Sequence, residues 1–185
     1  SYVWMLLTPI LVMRLMAGER RGMTDKLMQS APLSITSLVI GKYFAACTVM
    51  LIAVSLSLTY PLLMSAYARV YPLEVLSGTL GFLLQGCAFI ALDLMVTSMI
   101  RNTFSAAALA FGINLFVWLM SLMTSSATLP AALARCIAFV SLYERFIPFL
   151  SAQLSPANIL FYLMFCISML TVSITMVKLE RARER

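Results

Sequence analysis

The sequence predicts an all-α protein that forms a polytopic transmembrane helical bundle. Of its 185 residues, 62% are hydrophobic and only 11% are charged, whereas a soluble domain carries about 25% charged residues. The mean hydropathy is +0.98, and the apolar residues are gathered into long runs separated by short polar segments. Because lipid cannot satisfy backbone polar groups, each run is expected to be a helix that satisfies its own.

The apolar runs organise residues 1–185 as a single transmembrane domain. Residues 1–13 are too short to cross a bilayer, which takes about 20 residues, so they are predicted to be the end of a span that begins upstream. Each later run is about long enough for a hydrocarbon core of roughly 30 Å. These four predicted complete spans are residues 38–64, 75–100, 106–123 and 157–177.

The distribution of positive charge predicts the orientation of the spans. Ten of the 13 lysines and arginines lie in or beside segments 14–37, 101–105 and 178–185, and the other three lie in segments 65–74 and 124–156. Lysine and arginine are retained on the cytoplasmic side, so we expect residues 14–37 and the tail 178–185 in the cytoplasm. The net charge of +6 is explained in this way, and no nucleic-acid partner is expected.

Residues 124–156 are too long for a simple outer turn. Their apolar residues recur at helical spacing and prolines punctuate them, which predicts a re-entrant or amphipathic helical hairpin at the outer leaflet. A plain surface loop is the alternative. The apolar positions are Leu133, Ile137, Val140, Leu142, Phe146 and Phe149.

Several catalytic arrangements are excluded by what the sequence lacks. It has no histidine, no phosphate-binding G-x-x-x-x-G-K-[ST] loop and no close pair of carboxylates, so we expect neither an enzyme nor an ATP-binding subunit. The four cysteines lie far apart in the sequence, which indicates neither a disulfide framework nor a zinc site. No cofactor or metal is expected on this chain.

The stretch "ERRGMTDKLMQSAP", residues 19–32, is the longest polar segment. Thr24 is placed to cap a helix that begins at Asp25, and Pro32 ends it. Leu27 and Met28 give this short helix an apolar side. It is either a lever held between two spans or an ordinary loop whose arginines enforce topology.

Three blocks resemble the ABC-2-type export permeases, in particular the gliding-motility and nitrous-oxide-reductase accessory branch. They are "TPILVMRLMAGERRGMTDKLMQSAPLSITSLVIGKYFAA", "SMIRNTFSAAALAFG" and "SLYERFIPFLSAQLSPANILFYL". Gly18, Met23 and Lys26 depart from the family pattern. The first block matches that pattern at Pro9, Leu11, Met13, Arg14, Ala17, Glu19, Arg20, Thr24, Leu27, Pro32, Ser34, Gly41, Lys42, Tyr43 and Ala45.

The resemblance implies a permease subunit of an ATP-driven exporter in a bacterial plasma membrane, with about six spans in the full subunit. It implies a second permease subunit, a separate ATPase that holds ATP and magnesium, and an accessory extracytoplasmic or membrane protein. The segment 20–31 would be the coupling helix. The residues expected to couple to the ATPase are Arg14, Glu19, Arg20, Arg21, Thr24, Asp25, Lys26, Leu27 and Met28.

Polar residues inside the spans form a second set of candidates. Asp93 could bind a cation, line a transport path, pair with Lys42 or Arg101 at the inner boundary, or pack in its protonated form. Gln85 and Asn114 are expected to hydrogen-bond between helices.

Three small-x-x-x-small pairs predict close helix packing. They begin at Gly41, Ser77 and Ala108.

Two other functions remain open on the sequence. The chain could be an ATP-independent carrier or channel that uses Asp93 for ion coupling, or a membrane scaffold that recruits a protein without transport. Changing Asp93 would disable the carrier, whereas changing residues 24–28 would disable the exporter.

The predicted orientation can be tested with reporters. A fluorescent protein fused after Arg185 is expected to fluoresce and alkaline phosphatase fused there to stay inactive, because that end is predicted to be cytoplasmic. The same fusions after Tyr67 are expected to give the reverse result. Phosphatase activity at the C-terminus would contradict the orientation.

Overall fold

All regular structure in the described part of the chain is helical. The computed structural model describes residues 2–21, 34–67, 71–100, 102–124 and 141–183. Its helices are α1 (Tyr2–Arg21), α2 (Ile35–Ser57), α3 (Thr59–Met64), α4 (Pro72–Ser98), α5 (Thr103–Thr124), α6 (Ile147–Leu150) and α7 (Pro156–Arg183).

Three helical stretches are long and apolar enough to cross a membrane, which supports a multi-pass membrane protein. They are Ile35–Met64, Pro72–Ser98 and Pro156–Glu180. The remaining predicted span, 106–123, lies in α5, but the apolar stretch there is the shorter Phe104–Met120. The fragment predicted at residues 1–13 corresponds to the short apolar stretch Val3–Arg14 of α1.

Helix boundaries differ from the apolar boundaries at several ends. α1 continues to Arg21, eight residues beyond the predicted limit at residue 13, because backbone hydrogen bonding does not stop where the side chains become polar. α7 likewise runs to Arg183, as expected if the charged tail continues the last helix. α2 begins where the Ser34 hydroxyl accepts from the Ser37 amide at 3.2 Å, which caps the helix.

Helix α4 is the centre of the bundle. It contacts α1, α2, α5, α6 and α7, and small or polar residues such as Gly81, Gln85 and Ala88 are buried along it. The other two long candidate spans keep most of their length outside the core. Their exposed leucine, isoleucine and valine side chains suit contact with lipid.

The contacts fix the direction of each helix relative to α4. Trp4 Nε1 donates to the Phe82 carbonyl at 2.9 Å, and Val12, two turns later on α1, packs in the same core as Leu94. α7 runs the same way: its early residue Tyr162 packs beside Phe149, which lies against Gly81, and its later residue Ser173 donates to the Leu94 carbonyl at 3.5 Å. The C-terminal ends of α1, α4 and α7 therefore share one end of the bundle, as the predicted orientation requires.

The described part of the outer segment folds back onto the bundle. Leu142, Phe146 and Phe149 are all buried, and regular helix in this part is limited to α6. Their predicted position at the outer leaflet stays a prediction. Tyr162 Oη donates to the Leu142 carbonyl at 2.6 Å. Arg145 donates to Asn158 at 3.2 Å and lies 4.0 Å from the centre of the Phe161 ring.

The remainder of that outer segment, including the predicted apolar positions Leu133, Ile137 and Val140, lies outside the described residues.

Two glycines of α4 permit close approach of neighbouring side chains. A Cβ at Gly81 would lie 2.6 Å from Phe149 Cβ, and one at Gly86 would lie 2.9 Å from Trp4 Cε2 and closer still to Met50. Of the predicted small-residue pairs, the one from Ser77 to Gly81 is thus closely packed, whereas Gly41 and Gly112 have no atom within 4 Å of an added Cβ among the described residues. Gly86 does not belong to any of the small-residue pairs predicted from the sequence.

Gly81→Ala is expected to lower the melting temperature in detergent. The added methyl group must displace Phe149, and such overpacking costs about 1–3 kcal/mol. Gly78→Ala is the matched control on the same helix, since its Cβ would meet only Leu150 Cδ2 at 3.9 Å, and it is expected to be neutral or stabilising. Equal effects of the two substitutions would contradict the packing described here.

Candidate functional site: a buried polar cluster on three helices

A polar cluster lies wholly inside the apolar bundle. Asp93 on α4, Asn114 on α5 and Thr8 on α1 are each 0% exposed. Asn114 Nδ2 donates to Asp93 Oδ1 at 3.0 Å and lies 3.5 Å from Thr8 Oγ1. One amide group therefore connects three helices.

The packing on either side of the cluster sets the register of these helices. Trp4, one turn before Thr8, is held on α4 through its bond to the Phe82 carbonyl. Ala110, one turn before Asn114, packs against Leu92 and Val96 of α4. A small residue on α5 and an anchored indole on α1 thus bring the polar groups to the same level.

The orientation of the Asn114 amide follows from its two neighbours. Thr8 Oγ1 donates its hydrogen to the Trp4 carbonyl at 2.7 Å, so its oxygen is left as an acceptor toward Asn114. Asp93 Oδ1 is also an acceptor. Both atoms face the amide nitrogen, which is the donor group of the Asn114 side chain.

Two oxygen atoms of the cluster have no hydrogen-bond partner among the described residues. They are Asp93 Oδ2 and Asn114 Oδ1. Outside the cluster, Ser77 Oγ on α4 is also buried without a hydrogen-bond partner among the described residues. An ionised carboxylate in an apolar interior is strongly disfavoured unless it is paired. The carboxyl group of Asp93, with only one of its two oxygens hydrogen-bonded, is therefore the strongest candidate for a functional group in the described structure.

The cluster is enclosed by apolar side chains and by a second, weaker polar layer. Val12, Ile90, Leu94 and Val96 are buried around it. Nearer the end of α4, Ser173 of α7 and Thr97 both donate to the Leu94 carbonyl, at 3.5 Å and 3.1 Å. The site has no opening of its own in this packing, since none of its three side chains is exposed.

The intramembrane residues predicted from the sequence occupy different positions. The structure brings Asp93 and Asn114 together, and Asn114 bonds between helices as expected. Gln85 is also buried, about two turns away along α4. Lys42 is half-buried on α2, and Arg101 lies outside the described residues, so the pairing of Asp93 with either cation stays a prediction.

The predicted coupling residues fall at and beyond the end of α1. Arg14 is exposed on this helix. Glu19, Arg20 and Arg21 belong to its last turn, where only the backbone is described. The remaining coupling candidates, Thr24, Asp25, Lys26, Leu27 and Met28, lie outside the described residues.

Two features of the interior were missed from the sequence. Thr8 is the one hydroxyl-bearing residue among the apolar residues 3–13, which was the available signal. Cys47 on α2 and Cys87 on α4 place their sulfur atoms 3.8 Å apart as free thiols, although they are 40 positions apart in the chain. No cluster of histidine, cysteine, aspartate and glutamate able to hold a metal ion occurs in the described ranges.

Comparison with known proteins adds no relative: no family model matches this chain, and no curated protein sequence does.

The pairing of Asp93 with Asn114 can be measured by a double-mutant cycle. Asn114→Leu is expected to destabilise the protein by about 1–3 kcal/mol, because it leaves both carboxyl oxygens without a partner. Asp93→Leu combined with Asn114→Leu is expected to cost less than the sum of the two single changes. Unfolding in detergent provides the measurement, with the exposed α5 change Ser105→Leu as the control. Strict additivity would contradict direct pairing.

Proposed function

We propose that this chain is the membrane permease subunit of an ATP-driven exporter. The proposal is supported by the resemblance of three separate sequence blocks to ABC-2-type permeases. It is further supported by an apolar helical bundle with three candidate spans. The observation that carries the mechanism is the extent of α1, which runs from the buried polar cluster to Arg21 as one helix with Pro9 inside it.

Helix α1 is suited to transmit movement into the bundle. Its side chains Trp4, Thr8 and Val12 are buried, and the helix contacts α4 and α5 along that part. Its other end leads directly into the polar segment 19–32. A helix anchored inside the bundle and bound by a partner outside it would carry a displacement of that segment to the core.

The driving energy in this proposal comes from a partner. A separate ATPase subunit would hold ATP and magnesium and would contact the proposed coupling helix, residues 20–31. Arg14, Glu19 and Asp25 are proposed for the polar part of that contact, and Leu27 with Met28 for the apolar part. A second permease subunit and an accessory extracytoplasmic or membrane protein would complete the assembly in the bacterial plasma membrane.

The coupling contact is tested by Leu27→Asp combined with Met28→Asp. The chain is purified in mild detergent with the ATPase that accompanies it and reconstituted into liposomes. We expect the double variant to insert normally and to lose most of the ATPase stimulation that the wild-type chain gives, because two charges would enter an apolar contact. Tyr67→Asp is the control, since Tyr67 is 91% exposed in the connection predicted to lie outside.

Other outcomes would favour the other functions. If the Leu27 and Met28 variant behaves like wild type while Asp93→Asn abolishes transport, the chain is an ion-coupled carrier or channel. If an ATPase binds but its activity never responds to this chain, the chain is a scaffold.

A further inference from the structure

The two unpartnered oxygen atoms of the buried cluster belong to the same pair of side chains. Asn114 Nδ2 and Asp93 Oδ1 form one hydrogen bond at 3.0 Å. The remaining polar atom of each group, Asn114 Oδ1 and Asp93 Oδ2, has no partner in the described part of the chain. Each of these atoms is an acceptor when the carboxyl group is ionised.

A single proton would satisfy both atoms. A protonated carboxyl group has one O–H donor, so a proton on Asp93 Oδ2 can be donated to Asn114 Oδ1. Together with the existing bond, this gives two parallel hydrogen bonds that close a ring between an acid and an amide. The same proton removes a negative charge from an interior where Asp93 is 0% exposed.

Turning the amide over would not serve the same purpose. The amide nitrogen already faces two acceptors, Asp93 Oδ1 and Thr8 Oγ1. Reversing the amide would place its oxygen 3.5 Å from Thr8 Oγ1, whose hydrogen is directed at the Trp4 carbonyl, so two acceptors would face each other. The network therefore fixes the amide in the orientation that the acid–amide ring requires.

A metal cation fits the cluster less well than a proton. Hard cations are held by several oxygen ligands, and here a nitrogen donor contacts the carboxylate at 3.0 Å and lies 3.5 Å from the threonine oxygen. The hydroxyl of Thr8 is already directed at the Trp4 carbonyl at 2.7 Å. Asp93 Oδ2 also accepts no hydrogen bond from a lysine or arginine side chain in the described ranges, where it has no hydrogen-bond partner.

We propose that Asp93 is a proton-binding site. Its protonated carboxyl group and the Asn114 amide form a hydrogen-bonded ring that joins α4 to α5. The ligand is one proton, and the residues that bind it are already in contact in this structure. Loss of the proton would leave two buried acceptors without a partner on different helices, so occupancy of the site stabilises this packing of α4 and α5. The proposal is independent of the exporter function.

Isotope-edited infrared spectroscopy of the isolated chain tests the proposal. The sequence contains two aspartates, Asp25 and Asp93, so Asp25→Asn leaves Asp93 as the only one. This variant is made by cell-free synthesis with aspartate labelled with ¹³C at the side-chain carboxyl carbon and is placed in liposomes at neutral pH. We expect the labelled band of a protonated carboxyl group, shifted in heavy water, and its absence when Asp93→Asn is added.

The Asn114 partner is tested in the same labelled background. In Asn114→Leu the acid keeps its proton but loses the amide carbonyl as acceptor, so its carbonyl stretching band is expected to move to higher frequency. Ser105→Leu, an exposed change on the same helix, is expected to leave the band in place. A band that does not move in Asn114→Leu overturns the ring.

Two further results would overturn the proton site. A labelled carboxylate signal with no acid band at neutral pH would mean that Asp93 is ionised, with a water molecule bridging the two oxygens. An acid band seen in choline chloride that disappears in sodium chloride would mean that a cation is the ligand. Size-exclusion chromatography of each variant establishes that the comparison is made on folded protein.

Discussion

The structure depends on the burial of polar side chains inside a bundle whose outer surface is apolar. Helix α4 turns Ser77, Gln85 and Asp93 inward, and lipid offers no hydrogen-bond partner for such groups. The partners of Asp93 must therefore come from neighbouring helices. Asn114 and Thr8 are brought to Asp93 for this reason, and the amide of Asn114 holds α1, α4 and α5 at one level.

Small residues decide how closely the other elements approach this central helix. Phe149 of the outer segment lies against Gly81, and the indole of Trp4 lies against Gly86. Both aromatic residues are almost fully buried, which no side chain larger than hydrogen at those two positions would permit without movement. Packing between membrane helices has no hydrophobic driving force of its own, so this shape complementarity replaces it.

The same arrangement relates the interior to the charged end of α1. Trp4 and Thr8 attach the helix to the core, and the helix continues to Arg21. A partner that moved this end would disturb the Asn114 amide, which is the junction of the three helices. In the proposed exporter, movement of the coupling segment would therefore reach the polar cluster through α1.

The sequence by itself determined the helical class and the approximate positions of the long apolar helices. These follow from run length and helical spacing, which are local properties. It indicated Asp93 and Asn114 as important but not their contact. The tertiary structure alone decided that Thr8 joins them, that Cys47 lies beside Cys87, and that Gly81 and Gly86 are closely packed while Gly41 is open. The physical reason is that lipid tails and protein interiors are equally apolar, so an apolar sequence does not record which side of each helix faces protein.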